Sequence, residues 1–263
     1  MSLTRPPAVA GTFYPSDPAE LGAAVDAYVR DAVCGPSKPL PKAIIAPHAG
    51  YAYSGPVAGS AYAQLGELRG AIERVVLIGP AHRLPTSGFA TVSVESFQTP
   101  LGDVPIDREA VERLMGFRQV HCLDEAHALE HSLEVHLPFL QRVLGPIRVL
   151  PLVVGDATPD EVAEVLDAVW GGPETLIVIS SDLSHYYDYE TACDLDAATT
   201  GAIEALDPEG VGRESACGRV PIRGLLVVAK RRGLEARTLD VRNSGDTAGP
   251  RDQVVGYGAY AFG

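Results

Sequence analysis

Three apolar runs of this sequence are each followed by a histidine. His48 follows KAIIAP, His82 follows RVVLIGP, and His185 follows LIVISS together with Asp182. Imidazole nitrogens bind Zn, Cu, Fe and Ni, and they exchange protons near neutral pH. One such histidine is usually a hydrogen-bonded structural residue, but three at corresponding positions favour a shared site. We therefore predict a metal or proton-transfer site that these residues form together.

A catalytic metal site usually has three protein ligands and an open position. Cys217, in SACGRVPI, is the candidate third ligand because it precedes the apolar segment 222–232. A cysteine near the N-terminus of a helix tends toward the thiolate, which is the form that binds metals. Arg219 adds positive charge to this turn. The other cysteines are interpreted as small buried hydrophobic side chains, namely Cys34, Cys122 and Cys193.

The stretch DEAHALEHSLEVHLPFL, residues 124–140, contains three of the seven histidines. Within it, HALEH matches the H-x-x-E-H signature of inverted zinc peptidases. That chemistry requires one continuous helix through His127 and His131, whereas Ser132 is a candidate N-cap that would start a helix after both. We interpret the peptidase match as coincidence and keep Glu130 and His131 as candidate pocket or supporting residues.

The segment PHAGYAYSGPVAG, which follows the first apolar run, opens a helix with glycines and small residues. It is not a P-loop, because no G-K-[ST] follows. Its glycines allow close approach of the backbone to a site. Tyr51 and Tyr53 are candidates to line the pocket.

The order of predicted elements indicates an α/β fold with a mainly parallel central sheet flanked by helices, in one domain spanning residues 1–263. In such sheets the ligand crevice lies beyond the carboxyl ends of the strands, where the three histidines are predicted. The apolar runs predict strands at 42–47, 74–80, 147–155 and 174–181, a half-exposed strand at 90–96, and a late strand at 253–262, at an edge of the sheet. The amphipathic segments predict helices at 17–33, 56–68, 107–115, 158–170, 190–206 and 222–232.

Composition excludes several classes of protein. The net charge of −13 and the pI near 4.9 argue against binding to nucleic acid or to an anionic membrane, which need a basic face. The four cysteines form no CxxC pair, which favours a reducing compartment. Neither a signal-peptide core nor an apolar stretch of about 18–20 residues is present, so a cytoplasmic location is expected.

Several blocks of the sequence together resemble the Memo family. They run in order from Arg5 to the C-terminus: PAVAGTFYP, APHAGYAYSGPVAGSAY, LIGPAH, EHSLEVHLPFLQ, PLVVG, ISSDLSHY and ACGRVPI. Prokaryotic members are often called protein B of the three-part AmmeMemoRadiSam system, which implies a functional link to a radical SAM enzyme. The family is similar in fold to the class III extradiol ring-cleavage dioxygenases, which use Fe(II).

The resemblance also implies roles for particular residues. His48 and His82 match the two histidine ligands of the family, and Cys217 matches its cysteine ligand. Asp182 and His185 match the acid–histidine pair beside the metal. The dioxygenases have a glutamate as the third ligand, and a thiolate is softer and more easily oxidised. Ring cleavage is therefore not carried over to this chain.

Two hypotheses of function remain open. The first is a metal-dependent protein with redox or oxygenase-like activity on an unknown substrate, binding Fe or Cu, with Zn as a further option. In this hypothesis His185 is the general acid/base and Asp182 orients or tunes it. The alternative is a non-catalytic binding or adaptor module with a vestigial dioxygenase-like cleft, whose ligand is a small molecule or a peptide. Some Memo members bind phosphotyrosine peptides, for which Arg219 and Arg223 are the nearest basic candidates.

Overall fold

The strands of the residues that the structure describes belong to two sheets. A computed structural model describes residues 4–33, 35 and 38–263. Within them the strands are β1 (Thr4–Arg5), β2 (Ala43–Ala46), β3 (Arg74–Pro80), β4 (Phe89–Thr91), β5 (Ser96–Thr99), β6 (Gly102–Pro105), β7 (Val120–Cys122), β8 (Arg148–Val154), β9 (Thr175–Ser180), β10 (His185–Tyr187), β11 (Ala236–Asn243) and β12 (Val254–Phe262).

Helices cover the sheet, and the N-termini of the first and the sixth α-helix carry the expected caps. The side chain of Asp17 accepts hydrogen bonds from Ala19 and Glu20, and Thr158 forms a capping box with Glu161. The helices are α1 (Pro18–Arg30), α2 (Tyr51–Tyr62), α3 (Arg108–Leu114), α4 (Asp124–Ala128), α5 (Leu137–Leu144), α6 (Pro159–Val169), α7 (Tyr189–Glu204), α8 (Arg219–Arg232) and α9 (Ser244–Thr247), with 3₁₀ turns at Ala63–Leu68 and Glu134–His136.

The large sheet has the order β10-β12-β2-β9-β3-β8-β4-β7, with β11 also paired to β12. Its four central strands, β2, β9, β3 and β8, are parallel to one another. They are also almost entirely buried, as expected for apolar runs covered by helices on both faces. The prediction of an α/β fold built on these four runs is confirmed. A small second sheet has the order β1-β5-β6.

Some sequence-based predictions of elements were wrong. The run 90–96 is not one strand, because the Asp124 carboxylate accepts hydrogen bonds from the backbone N–H and the hydroxyl of Ser93, which turns the chain between β4 and β5. β12 does not lie at an edge, because it pairs with β2, β10 and β11. α2 begins at Tyr51 and contains Pro56 instead of starting there.

The interpretation of the remaining cysteines was also wrong where the structure describes them. Cys122 and Cys193 are exposed to solvent, and Cys34 lies outside the described residues. Among the described residues, no helix has both the length and the apolar character needed to cross a membrane.

The contact between α1 and α2 depends on the absence of a side chain at Gly59. A Cβ at this position would lie 2.3 Å from the carbonyl oxygen of Tyr28 on α1. We expect Gly59→Ala to lower the free energy of unfolding by about 1–3 kcal/mol, because the two helix backbones must move apart. Urea denaturation measures the change. Gly66→Ala is the control because its Cβ would meet no atom within 4 Å. Equal stability of the two variants would contradict the close-packing argument.

Candidate metal centre

Three histidines meet beyond the carboxyl ends of the parallel strands. His48 follows β2, His82 follows β3, and His131 lies between α4 and the 3₁₀ turn that precedes α5. One ring nitrogen of each histidine lies within 4.8 Å of a ring nitrogen of each of the other two. The ring centroids are 5.1 Å apart for His48 and His82, and 4.8 Å apart for His82 and His131. The prediction from the strand ends brought two of these residues together, and the structure adds the third.

His48 is buried, and both of its ring nitrogens have neighbours. Nδ1 lies 2.6 Å from the hydroxyl oxygen of Ser180, the last residue of β9. Nε2 lies 3.3 Å from the sulfur of Cys217 and 4.0 Å from a carboxylate oxygen of Asp182. Burial, and then the nearby imidazoles of His82 and His131, keep the pKa of His48 well below its usual value. The ring is therefore neutral at pH 7, which leaves a nitrogen lone pair available to a metal.

His82 is held by the buried carboxylate of Glu130. One carboxylate oxygen lies 3.0 Å from Nδ1 of His82, and the other accepts a hydrogen bond from the backbone N–H of the same residue. The first oxygen also accepts from the backbone N–H groups of His131 and Ser132, at 2.9 Å each. Burial alone would raise the pKa of Glu130, but the hydrogen bonds that its carboxylate accepts from His82 and Ser132 lower this pKa to about 2. A carboxylate on Nδ1 leaves Nε2 of His82 free for a ligand bond, which is a common arrangement beside bound metals.

His131 has an unsatisfied nitrogen. Its Nδ1 is buried and makes no hydrogen bond to any described residue; the nearest carboxylate oxygen, on Glu130, is 3.4 Å away. Burial, only partly offset by the Glu130 charge, lowers the pKa of His131 to about 4. An unsatisfied buried nitrogen is costly. A neutral imidazole in this position therefore fits a site that takes a metal or another ligand.

Cys217 lies beside this trio and outside it. Its sulfur is 3.3 Å from Nε2 of His48, close to the roughly 3.5 Å expected for sulfur and nitrogen ligands of one tetrahedral ion. Burial and the charge of Asp182 raise the pKa of the thiol. The expectation of a thiolate was therefore wrong for the metal-free chain, because α8 begins at Arg219 and its N-terminus does not outweigh burial. Metal binding at Cys217 would have to displace the thiol proton.

Asp182 and His185 reach the same place from the segment after β9. Asp182 accepts a 2.7 Å hydrogen bond from the backbone N–H of His48, and burial raises its pKa to about 7. His185 lies 2.7 Å through Nδ1 from the carbonyl oxygen of Leu183. Because a carbonyl only accepts, Nδ1 carries the proton and Nε2 is the free base. Burial lowers the pKa of His185, so this base is unprotonated at neutral pH.

These residues open into a cleft of about 400 Å³, a volume that suits a small molecule. Tyr186 at its rim is 70% exposed and has a φ of 63°, an uncommon conformation for an aromatic residue. Sequence reasoning missed this residue, as well as Phe13 and Arg83. Tyr186 and Phe13 lie within the blocks ISSDLSHY and PAVAGTFYP, but an aromatic residue in such a block carries no signal of its own for lining a cleft, and Arg83 lies outside the blocks. The lining residues are Phe13, His48, Ala49, Gly50, His82, Arg83, His131, Asp182, His185, Tyr186 and Val255.

The remaining candidates lie elsewhere. Tyr51 is buried in the core, where its hydroxyl donates to the carbonyl oxygen of Val135, so it does not line the cleft as predicted. Tyr53 is on the first turn of α2 with 43% of its surface exposed, and Arg219 is the first residue of α8. Neither is among the cleft-lining residues.

The peptidase look-alike is not a helix. α4 ends at Ala128, so no single helix carries both His127 and His131. Nε2 of His127 lies 2.9 Å from the carbonyl oxygen of Ala90, to which it donates. The geometry agrees with the interpretation of HALEH as coincidence.

Fold and site together define an α/β protein with a candidate metal centre at the carboxyl ends of its parallel strands. Residues 5–261 match the family model described as Memo-like protein, and the chain belongs to this family. A MEMO1 family protein of Sulfolobus acidocaldarius is 34% identical over 287 residues, covering 99% of this chain and 100% of the relative. One of Ignicoccus hospitalis is 38% identical over 284 residues, covering 99% of each.

A solved structure of an uncharacterized Escherichia coli K12 protein aligns with 82% of this chain and 98% of its own length. The TM-score is 0.49 and the sequence identity is 15%. This likeness is too remote to inform on function.

Proposed function

We propose that this Memo-family protein binds one transition-metal ion through His48 and His82, with a third protein ligand from Cys217 or His131. The observation that carries the proposal is the convergence of three imidazoles, whose ligand atoms lie within 4.8 Å of one another. Two further contacts support it: the buried Glu130 carboxylate lies against Nδ1 of His82, and the buried Nδ1 of His131 has no hydrogen-bond partner among the described residues. Histidine nitrogens suit Fe, Cu and Zn, and a thiolate shifts the preference toward Cu(I) or Zn.

We further propose that the bound ion is Fe or Cu and that the reaction is redox or oxygenase-like. When bound, the ion would supply electron-transfer or Lewis-acid chemistry at the cleft. His185 would take or give a proton through Nε2, because its Nδ1 proton is held by Leu183. Asp182, which contacts the backbone of His48, would carry a second exchangeable proton. The substrate would be a small molecule that fits the cleft, and the link to a radical SAM enzyme stays a prediction.

Metal binding is the first test. We expect the anaerobically purified protein to take up one Co(II), used as an optical probe, and His82→Ala to lose this stoichiometric binding. His121→Ala is the control, since this exposed histidine lies on β7, away from the cleft. Unchanged stoichiometry in folded His82→Ala would overturn the proposal.

The same titration identifies the third ligand. If Cys217 binds the ion, a thiolate-to-cobalt charge-transfer band appears in the near ultraviolet and disappears in Cys217→Ser. If His131 binds it, the band is absent from the wild-type protein and His131→Ala loses affinity. If Cys217→Ser and His131→Ala both keep the wild-type spectrum and affinity, neither Cys217 nor His131 is a ligand.

Activity is tested separately. Oxygen consumption by iron- or copper-loaded protein would be followed with a panel of catechols and thiols. We expect His185→Ala to retain the metal and lose turnover. Turnover at the wild-type rate in this variant would exclude the acid/base role.

A further inference from the structure

A chain of buried polar side chains runs from His48 away from the cleft and is not explained by metal binding alone. The hydroxyl of Ser180 lies 2.6 Å from Nδ1 of His48 and 2.8 Å from Nε2 of His136. Nδ1 of His136 lies 2.8 Å from the hydroxyl of Tyr62. All four side chains are at most 2% exposed. Buried groups of this kind must satisfy one another, so their protons can be assigned by counting donors and acceptors.

The assignment begins at the carbonyl oxygen of Ser132, which lies 2.5 Å from the Ser180 hydroxyl oxygen. Two oxygens this close need a hydrogen between them, and only the Ser180 hydroxyl can supply it. Ser180 has one proton and two lone pairs. With its proton committed to Ser132, it can only accept from the two imidazoles.

Both histidine tautomers follow. His48 must carry its proton on Nδ1 and donate it to Ser180, which leaves the lone pair on Nε2. His136 must carry its proton on Nε2, so its Nδ1 accepts a hydrogen bond from Tyr62. Burial lowers the pKa of His136 to about 3, which agrees with a neutral ring. Every polar side-chain atom from Nδ1 of His48 through Ser180 and His136 to the Tyr62 hydroxyl then has a partner of the correct kind.

We propose that Ser180 is a positioning residue that holds His48 in the Nδ1–H tautomer, so that the Nε2 lone pair points to the metal centre. His136 and Tyr62 occupy the other side of Ser180 and keep its hydroxyl directed at Ser132. The opposite tautomer would place a proton on Nε2, 3.3 Å from the Cys217 sulfur, and would block a ligand bond there. The functional meaning rests on the proposed metal site, whereas the tautomer itself does not.

The tautomer can be measured without metal. Long-range proton–nitrogen correlation spectra of ¹⁵N-histidine-labelled, metal-free protein report which ring nitrogen carries hydrogen, and a His48→Gln variant assigns the His48 signals. We expect a protonated Nδ1 and an unprotonated Nε2 in the wild-type protein. A dominant Nε2–H form of His48 would overturn the inference, whatever the protein does with metals.

Variants then test the link to metal affinity. We expect Ser180→Ala to give a mixture of His48 tautomers and to weaken metal binding by about 10–100-fold, as for other partners of ligating histidines. Ser60→Ala is the matched control: it removes a buried hydroxyl that bonds to the Asp240 carboxylate, and Ser60 does not line the cleft. Similar affinities of the two variants would contradict a positioning role. Failure of the wild-type protein to bind metal, with the expected tautomer present, would reject the proposed function and leave the tautomer assignment standing.

Discussion

Replacing Glu134 by alanine is expected to lower the free energy of unfolding by about 3–5 kcal/mol, because the change leaves a buried charge without its partner. The carboxylate is fully buried and pairs with the buried guanidinium of Arg5 at 2.7 Å. It also accepts hydrogen bonds from the Tyr14 hydroxyl and from the backbone N–H groups of Ala8 and Val9. Removing it leaves the Arg5 cation without a counter-ion and three hydrogen-bond donors without their acceptor.

The consequences should extend to the candidate metal centre. Arg5 also donates to the carbonyl oxygens of His127 and Glu130, at 2.7 Å each, and so holds the segment that carries His131. Loss of Glu134 removes the anion that holds Arg5 in this position. We therefore expect Glu134→Ala to weaken metal binding as well as stability.

Urea denaturation measures the loss of stability, and Glu109→Ala is its control. Glu109 forms an ion pair with Arg113 on the surface of α3, where both side chains are largely exposed. Such pairs contribute about 0.5 kcal/mol or less. Tyr14→Phe is a milder variant that removes only one hydrogen bond to the Glu134 carboxylate. A loss below about 1 kcal/mol in Glu134→Ala would show that the network is not a major source of stability.

The second large effect is expected at Glu130. Glu130→Ala should weaken metal binding by about 10–100-fold, because it removes the carboxylate that orients His82. The same change deprives the backbone N–H groups of His82, His131 and Ser132 of their acceptor. The loop between α4 and α5 would then be free to move His131 away from His82.

Competition with a chromophoric chelator measures this affinity under native conditions. Glu125→Ala is the matched control, since it removes an equal charge from an exposed position on α4. Glu130→Gln should fall between Glu130→Ala and the wild-type protein, because its amide keeps one acceptor oxygen and turns a second group into a donor. Wild-type affinity in Glu130→Ala would show that the carboxylate does not support the site.

The sequence by itself determined the central part of the fold and two members of the candidate site. Four apolar runs of strand length specified β2, β3, β8 and β9, since only strands covered on both faces need such continuous apolar character. The rule that ligands bind beyond the carboxyl ends of parallel strands then placed His48 and His82 at one edge. Both inferences use local patterns, which can be read without knowing the rest of the chain.

Only the tertiary structure decided the place of His131 and the state of Cys217. His131 lies outside regular secondary structure, and its position depends on Arg5, more than 120 residues away, through the carbonyl of Glu130. Burial and the nearby Asp182 raise the pKa of the Cys217 thiol, and neither of these causes is visible in its sequence context. Ser180 and His136 meet across the core, 44 residues apart. Such contacts follow from long-range packing and hydrogen bonding, whereas periodicity reports only which residues of one element face the core.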